Sequence, residues 1–91
     1  MTSLEMIPVL EKMFRFQWEE AQQSYVLLYP EGMVKLNGPA GEILSLVDGK
    51  RNLLQIIDLL MEKYPQAEGL NDDVLAFIDD AIKQHWIRGL V

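Results

Sequence analysis

A change of period in the apolar residues constrains the fold more than any other feature. Between Phe14 and Trp18 they alternate strictly. Phe14, Phe16 and Trp18 point one way, and Arg15, Gln17 and Glu19 point the other, the pattern of a half-buried strand. From Pro39 onward apolar residues recur every three or four positions, as a helix with one buried face requires. A chain that places its strands first and its helices afterwards is an α+β fold.

The polar stretch "EAQQ", Glu20 to Gln23, leads into "SYVLLY", Ser24 to Tyr29, which is apolar on both faces and so suits a central strand. In "PEG", Pro30 presets φ near −65°, and Gly32 suits the left-handed position of a three-residue hairpin loop with a bulge. Met33 to Leu36 then pairs back. The expectation is a three-stranded antiparallel meander near residues 14–19, 24–29 and 33–36, its edges being the first and third strands.

Three helices are predicted near residues 39–47, 52–64 and 71–85. Pro39 fits a first helical turn, and Ala40, Ile43, Leu44 and Val47 mark one face. Asp48-Gly49 reads as a left-handed stop. Asn52 with Gln55 forms a capping box ahead of Leu53, Ile56, Ile57, Leu60, Met61 and Tyr64. Asn71, Asp72 and Asp73 cap the third helix, whose stripe is Val74, Phe77, Ile78, Ala81, Ile82 and His85. Residues 1–13, broken by Pro8, have no clean period and read as an arm with at most one helical turn. Residues 14–91 read as a single domain. The outline is that of a winged helix–turn–helix, which by itself assigns no function.

Ninety-one residues, 49% of them hydrophobic, suffice for one core. No apolar run approaches the roughly 20 residues that span a bilayer, and "MTSLEMIPVLEKM" lacks the basic leader of a secretory signal. The absence of cysteine removes disulfides, thiolate nucleophiles and thiolate metal sites, and it fits a cytoplasmic protein. A net charge of −6 sets any contact with a phosphate backbone against repulsion.

Candidate chemistry is sparse. "GPAG", Gly38 to Gly41, offers free N–H groups at a helix start, but no lysine follows and Glu42 repels an anion, so it reads as a strand-to-helix turn. His85 is the single histidine, with no second histidine or cysteine to complete a metal site, and it reads as a packed or capping residue. The hydroxyls of Thr2, Ser3, Ser24 and Ser45 have no histidine near them in sequence. No enzyme and no cofactor is expected. The third helix carries Asp72, Asp73, Asp79 and Asp80 against Lys83, the wrong charge for a helix that must enter between phosphates. What remains is the edge strand. Met33 to Leu36 offers unpaired backbone groups to an extended peptide, or else Lys35 simply guards the edge.

Over "RFQWEEAQQSYVLLYPEGMVKLNGPAGEIL", "LVDGKRNLLQII" and "DDVLAFI" the sequence closely resembles the PqqD family of pyrroloquinoline quinone (PQQ) biosynthesis, about Phe14 to Ile87. The resemblance implies an adaptor that binds the precursor peptide PqqA and presents it to PqqE, a radical S-adenosylmethionine enzyme that joins a glutamate to a tyrosine side chain. Related domains take a leader peptide as an added strand between their third strand and third helix. Carried over by position, that groove falls on Met33, Val34, Lys35 and Leu36 and on Val74, Phe77, Ile78 and Ala81. Partners from the nucleic-acid and membrane classes are not expected. The alternative is a winged-helix transcription regulator binding DNA, against which the acidic third helix counts. "NGPAGEIL" departs from the family, with proline and glycine entering a helix start.

Overall fold

The computed structural model describes residues 3–90. The predicted meander is present. Strand β2 (Arg15–Glu19) pairs antiparallel with β3 (Ser24–Tyr29), and β3 with β4 (Gly32–Lys35). Three helices follow, α1 (Gly38–Ser45), α2 (Leu53–Lys63) and α3 (Leu70–Lys83). The fold is α+β.

Two strands were not expected from the pattern. Residues 7–10 of the supposed arm form β1 (Ile7–Leu10), which pairs antiparallel with β5 (Ile87–Leu90) in a separate two-stranded sheet. Pro8 is compatible with this strand because of its register. The Glu11 N–H donates to the Trp86 carbonyl, so Val9 and Ile7 bond inward by alternation, and Pro8, opposite Gly89, would have faced its missing N–H outward. The same segment also caps α2. The Met6 and Leu4 carbonyls accept from the Leu53 and Leu54 N–H groups, which have no partner within the helix.

The hairpin turn is also tighter than expected. Tyr29 stands opposite Gly32, leaving a two-residue loop, Pro30-Glu31, and neither Glu31 nor Gly32 has a positive φ. Proline at the first loop position excludes the primed turns that need φ > 0 there. Gly32 serves for space instead, since a β-carbon would sit 3.3 Å from the Tyr29 hydroxyl.

Helix α1 starts as the sequence implies. The Asn37 side chain accepts from the Ala40 N–H at 2.8 Å, and Pro39 lies in the first turn. Gly41 lets the helix approach the sheet, because a β-carbon there would meet the Tyr25 ring at 2.8 Å. The helix ends at Ser45, before Asp48-Gly49. Asp48 instead organises the next loop, accepting from the Lys50 and Arg51 N–H groups. The Asn52–Gln55 capping box on α2 is complete. Helix α3 begins at Leu70 after Gly69 at φ +71, with no side-chain cap, and Asp72 and Asp73 lie in its first turn.

Helix α3 stops at Lys83, short of His85. His85 takes φ +63, its N–H donates to the Ile82 carbonyl, and the Trp86 N–H donates to the Ala81 carbonyl. This pair of bonds closes a Schellman motif with histidine in the position glycine usually holds. His85 is exposed, so it caps the helix and is not part of the packed stripe.

The core lies between the meander and the helices, and Leu27, Leu53, Ile56, Val74 and Ile78 are fully buried in it. Phe16 stacks on Tyr25 with ring centroids 4.7 Å apart, and Trp18 meets the same ring edge-on at 5.1 Å. These contacts tie β2 to β3 on one face of the sheet. Phe14 and Phe16 pack on the core there, whereas Trp18 is 47% exposed at its margin, so the burial implied by the alternation does not reach Trp18.

Candidate functional site

The site is built on β4. This strand is four residues long and, among the described residues, pairs with β3 alone. Its hydrogen-bond phase is fixed at the far end, where the Leu36 N–H donates to the Tyr25 carbonyl at 3.0 Å. Antiparallel neighbours bond at every second residue, so Val34 bonds inward to Leu27, its partner in register. The N–H and C=O of Met33 and of Lys35 therefore face away from the sheet. The side chains follow the pleat. Leu36 is buried and Val34 is half-buried against the core, whereas Met33 is 41% exposed and Lys35 is exposed.

On α3, Val74, Ile78 and Ala81 are fully buried. They hold the helix in the core and offer no free surface. Phe77 is half-buried, its ring 6.5 Å from that of Trp86. Of the eight residues carried over by resemblance, Met33, Val34, Lys35 and Phe77 keep accessible atoms, and Leu36, Val74, Ile78 and Ala81 lie beneath the surface.

Just past β4, a cleft of about 460 Å³ opens between α1, the end of α2 and the start of α3. Pro39, Ile43, Leu60, Tyr64 and Leu70 line it, with Val74 buried beneath, and it begins at Gly38, three residues beyond Lys35. Most of these residues lie outside the segments picked from the sequence. They come from three helices far apart in the chain, so no local pattern marks them. Tyr64 was read only as the last residue of the second helix's apolar face, and Leu70 fell just outside the predicted third helix.

Glu42 and Asp73 stand at the same cleft. The Lys63 ammonium donates to both Glu42 carboxylate oxygens, at 2.9 and 3.1 Å. That bond, with help from Tyr64, holds the Glu42 carboxyl below its ordinary value, against a smaller opposing effect of burial. No group of three or more His, Asp or Glu side chains among the described residues is placed to hold a metal ion. No described helix is long and apolar enough to cross a membrane. The arrangement offers backbone hydrogen bonds beside an apolar hollow, which is the chemistry of recognising an extended segment.

Fold and site together define a small α+β domain in which the β4 edge of the sheet leads into an apolar cleft. Comparison with known proteins narrows this. Residues 24–87 match the family model of coenzyme PQQ synthesis protein D, PqqD. A PqqA binding protein of Pseudomonas aeruginosa is 54% identical over 86 residues, 94% of each chain. One from Azotobacter vinelandii is 51% identical over 87 residues, 96% of this chain and 95% of the other. The solution NMR structure of the PqqD truncation of Methylobacterium extorquens PqqCD superposes with a TM-score of 0.78 at 27% identity, covering 97% of this chain and 95% of that one. That domain is described as a functional, stand-alone recognition element for ribosomally synthesised and post-translationally modified peptides. The chain belongs to the PqqD family.

Proposed function

We propose that this protein binds the PqqA precursor peptide in PQQ biosynthesis, taking a segment of it as a strand added to β4, and presents it to the radical S-adenosylmethionine enzyme PqqE. The observation that carries the reading is the outward backbone of Met33 and Lys35 on an edge with no neighbouring strand among the described residues. Main-chain bonds to that edge supply affinity, and alternate side chains of the peptide reach Phe77 and the apolar cleft at Gly38 and Leu70. The relatives named for PqqA binding, and the neighbour described as a peptide recognition element, support the same reading. In this role the protein positions a substrate and performs no chemistry of its own.

Calorimetric titration with synthetic PqqA tests the first part. Saturable binding with one peptide per chain is expected, and no heat at tens of micromolar of either component would overturn it. The second part is read from cross-linked product formed by PqqE with and without this protein. Equal product in both arms rules out presentation.

A further inference from the structure

At the opposite edge of the meander lies a second hollow, of about 560 Å³, where the β1–β2 turn meets the β3–β4 hairpin. It straddles the β2 edge, with Phe14, Phe16 and Tyr29 lining one flank, Arg15 and Leu28 the other, and Lys12 in the adjoining turn. Among the described residues no carboxylate lines it. Neither cation forms an ion pair among the described residues, whereas Arg51, Lys63 and Arg88 each do. The turn that carries Lys12 is held in place. The Phe14 N–H donates to the Glu11 carbonyl, the Glu11 N–H to the Trp86 carbonyl, and the Arg88 guanidinium lies 3.3 Å from the Glu11 carboxylate.

Lys12 and Arg15 thus place two cations with no ion pair among the described residues beside aromatic rings, on a chain of net charge −6. They lower the local potential barrier that such a chain presents to another acidic molecule. The volume falls within the range of binding hollows, but this one is open, as a surface for a chain segment would be. We propose that it is a second docking surface, which takes an acidic segment of a protein partner bearing aromatic or large apolar side chains. Carboxylates of the segment meet Lys12 and Arg15, and its rings lie against Phe14 and Tyr29. The surface is on the β2 side of the sheet and leaves the β4 edge free. It stands whether or not β4 takes a peptide.

The probe is a capped Glu-Phe-Glu-Tyr-Glu peptide, titrated to millimolar concentration into the ¹⁵N-labelled full chain and followed by amide shifts. A capped Gln-Phe-Gln-Tyr-Gln peptide is the neutral control. Saturable shifts are expected at Lys12 to Phe16 and at Leu28 and Tyr29, weaker with the neutral peptide and weaker as salt rises. Reversing both cations, Lys12→Glu with Arg15→Glu, should weaken binding by about tenfold or more, since attraction becomes repulsion at two exposed pairs. Lys50→Glu, at a residue that does not line the hollow, should change it less than twofold on the same scale. Retained circular dichroism and thermal midpoint in the double variant separate lost docking from lost folding. Four results would each overturn the proposal. The acidic peptide produces no saturable shift at this surface, or the neutral peptide binds equally well. Binding survives the double reversal in a folded variant. Or sedimentation shows a dimer that the double reversal dissociates, so that a second copy of this chain is the occupant.

Discussion

Two proline substitutions one residue apart should behave oppositely if β4 is the peptide edge. The Leu36-to-Tyr25 bond sets the phase of the ladder, so the Lys35 N–H points away from β3 and the Val34 N–H points into it. Lys35→Pro removes no bond that the folded protein makes and no buried side chain, since Lys35 is exposed. Val34→Pro deletes the inward bond to Leu27 and a side chain packed against the core. Proline inside a paired strand is tolerated only where its N–H would be free. The lost bond and lost packing together should cost about 2–4 kcal/mol. For a domain this size that lowers the thermal midpoint by about 10–25 °C, against a few degrees at most for Lys35→Pro. Binding should invert the order of harm. The outward proline takes away one donor that an added strand needs, worth about 0.5–1.5 kcal/mol, or roughly a 2- to 13-fold weaker Kd. Its ring also occupies the space where the peptide's carbonyl would sit, which should bring the loss to the upper end of that range. Thermal unfolding by circular dichroism and PqqA titration by calorimetry on the same samples read both quantities. A folded Lys35→Pro protein that binds PqqA as tightly as the parent would refute the placement of the peptide on this edge.

Three further outcomes follow from the packing and the charges. Gly41→Ala should destabilise by about 1 kcal/mol in urea unfolding, because a β-carbon 2.8 Å from the Tyr25 ring overpacks by more than the helix gains from alanine; a midpoint at or above the parent's contradicts the close approach of α1 to the sheet. Glu42 is held below its ordinary value of 4.5 by Lys63, so its contribution to stability is present above that value and is lost as pH falls through the lowered one. The parent should be slightly more stable than Glu42→Gln at neutral pH and low salt, and the gap should close on acidification; a gap that widens in acid refutes the sign. Duplex DNA should show no saturable binding at low salt, because α3 presents Asp72, Asp73 and Asp80 on exposed positions; a salt-sensitive gel shift at micromolar protein would count against this.

The parts of the fold legible in the sequence were those written in short-range periods. The alternation that marks β2, the continuous apolar run of β3 and the Asn52–Gln55 box each involve neighbours within a few residues, and each gives its element where expected, although Trp18 is exposed where the alternation implied burial. Strand β1 was hidden for two reasons. Ile7, Val9 and Leu10 show no alternation, and the partner that makes them a strand is β5, at the other end of the chain. Strand β5 was masked in turn by Gly89, a weak strand former that is there because any side chain would run into Met6. The end of α3 misled because the apolar period continues through His85 while the backbone turns left-handed there, a position where histidine gives no signal that glycine would. At the site, the free edge followed from a strand too short to be internal. Its apolar cleft did not, because burial of Val74, Ile78 and Ala81 depends on which side of α3 meets the other helices, and the stripe alone does not distinguish floor from wall.

The pairing of β1 with β5 has a mechanical consequence. Ile7 stands opposite Leu90, and the register runs inward to Leu10 opposite Ile87. Tension applied through the two ends of the chain first loads the Leu4 and Met6 bonds to α2 and then opens this ladder from its outer pair, one pair at a time, as a zipper opens. The meander carries none of that load until the ladder is gone. Anything fused to either end pulls on a sacrificial clasp, and β4 keeps its geometry while the clasp gives way.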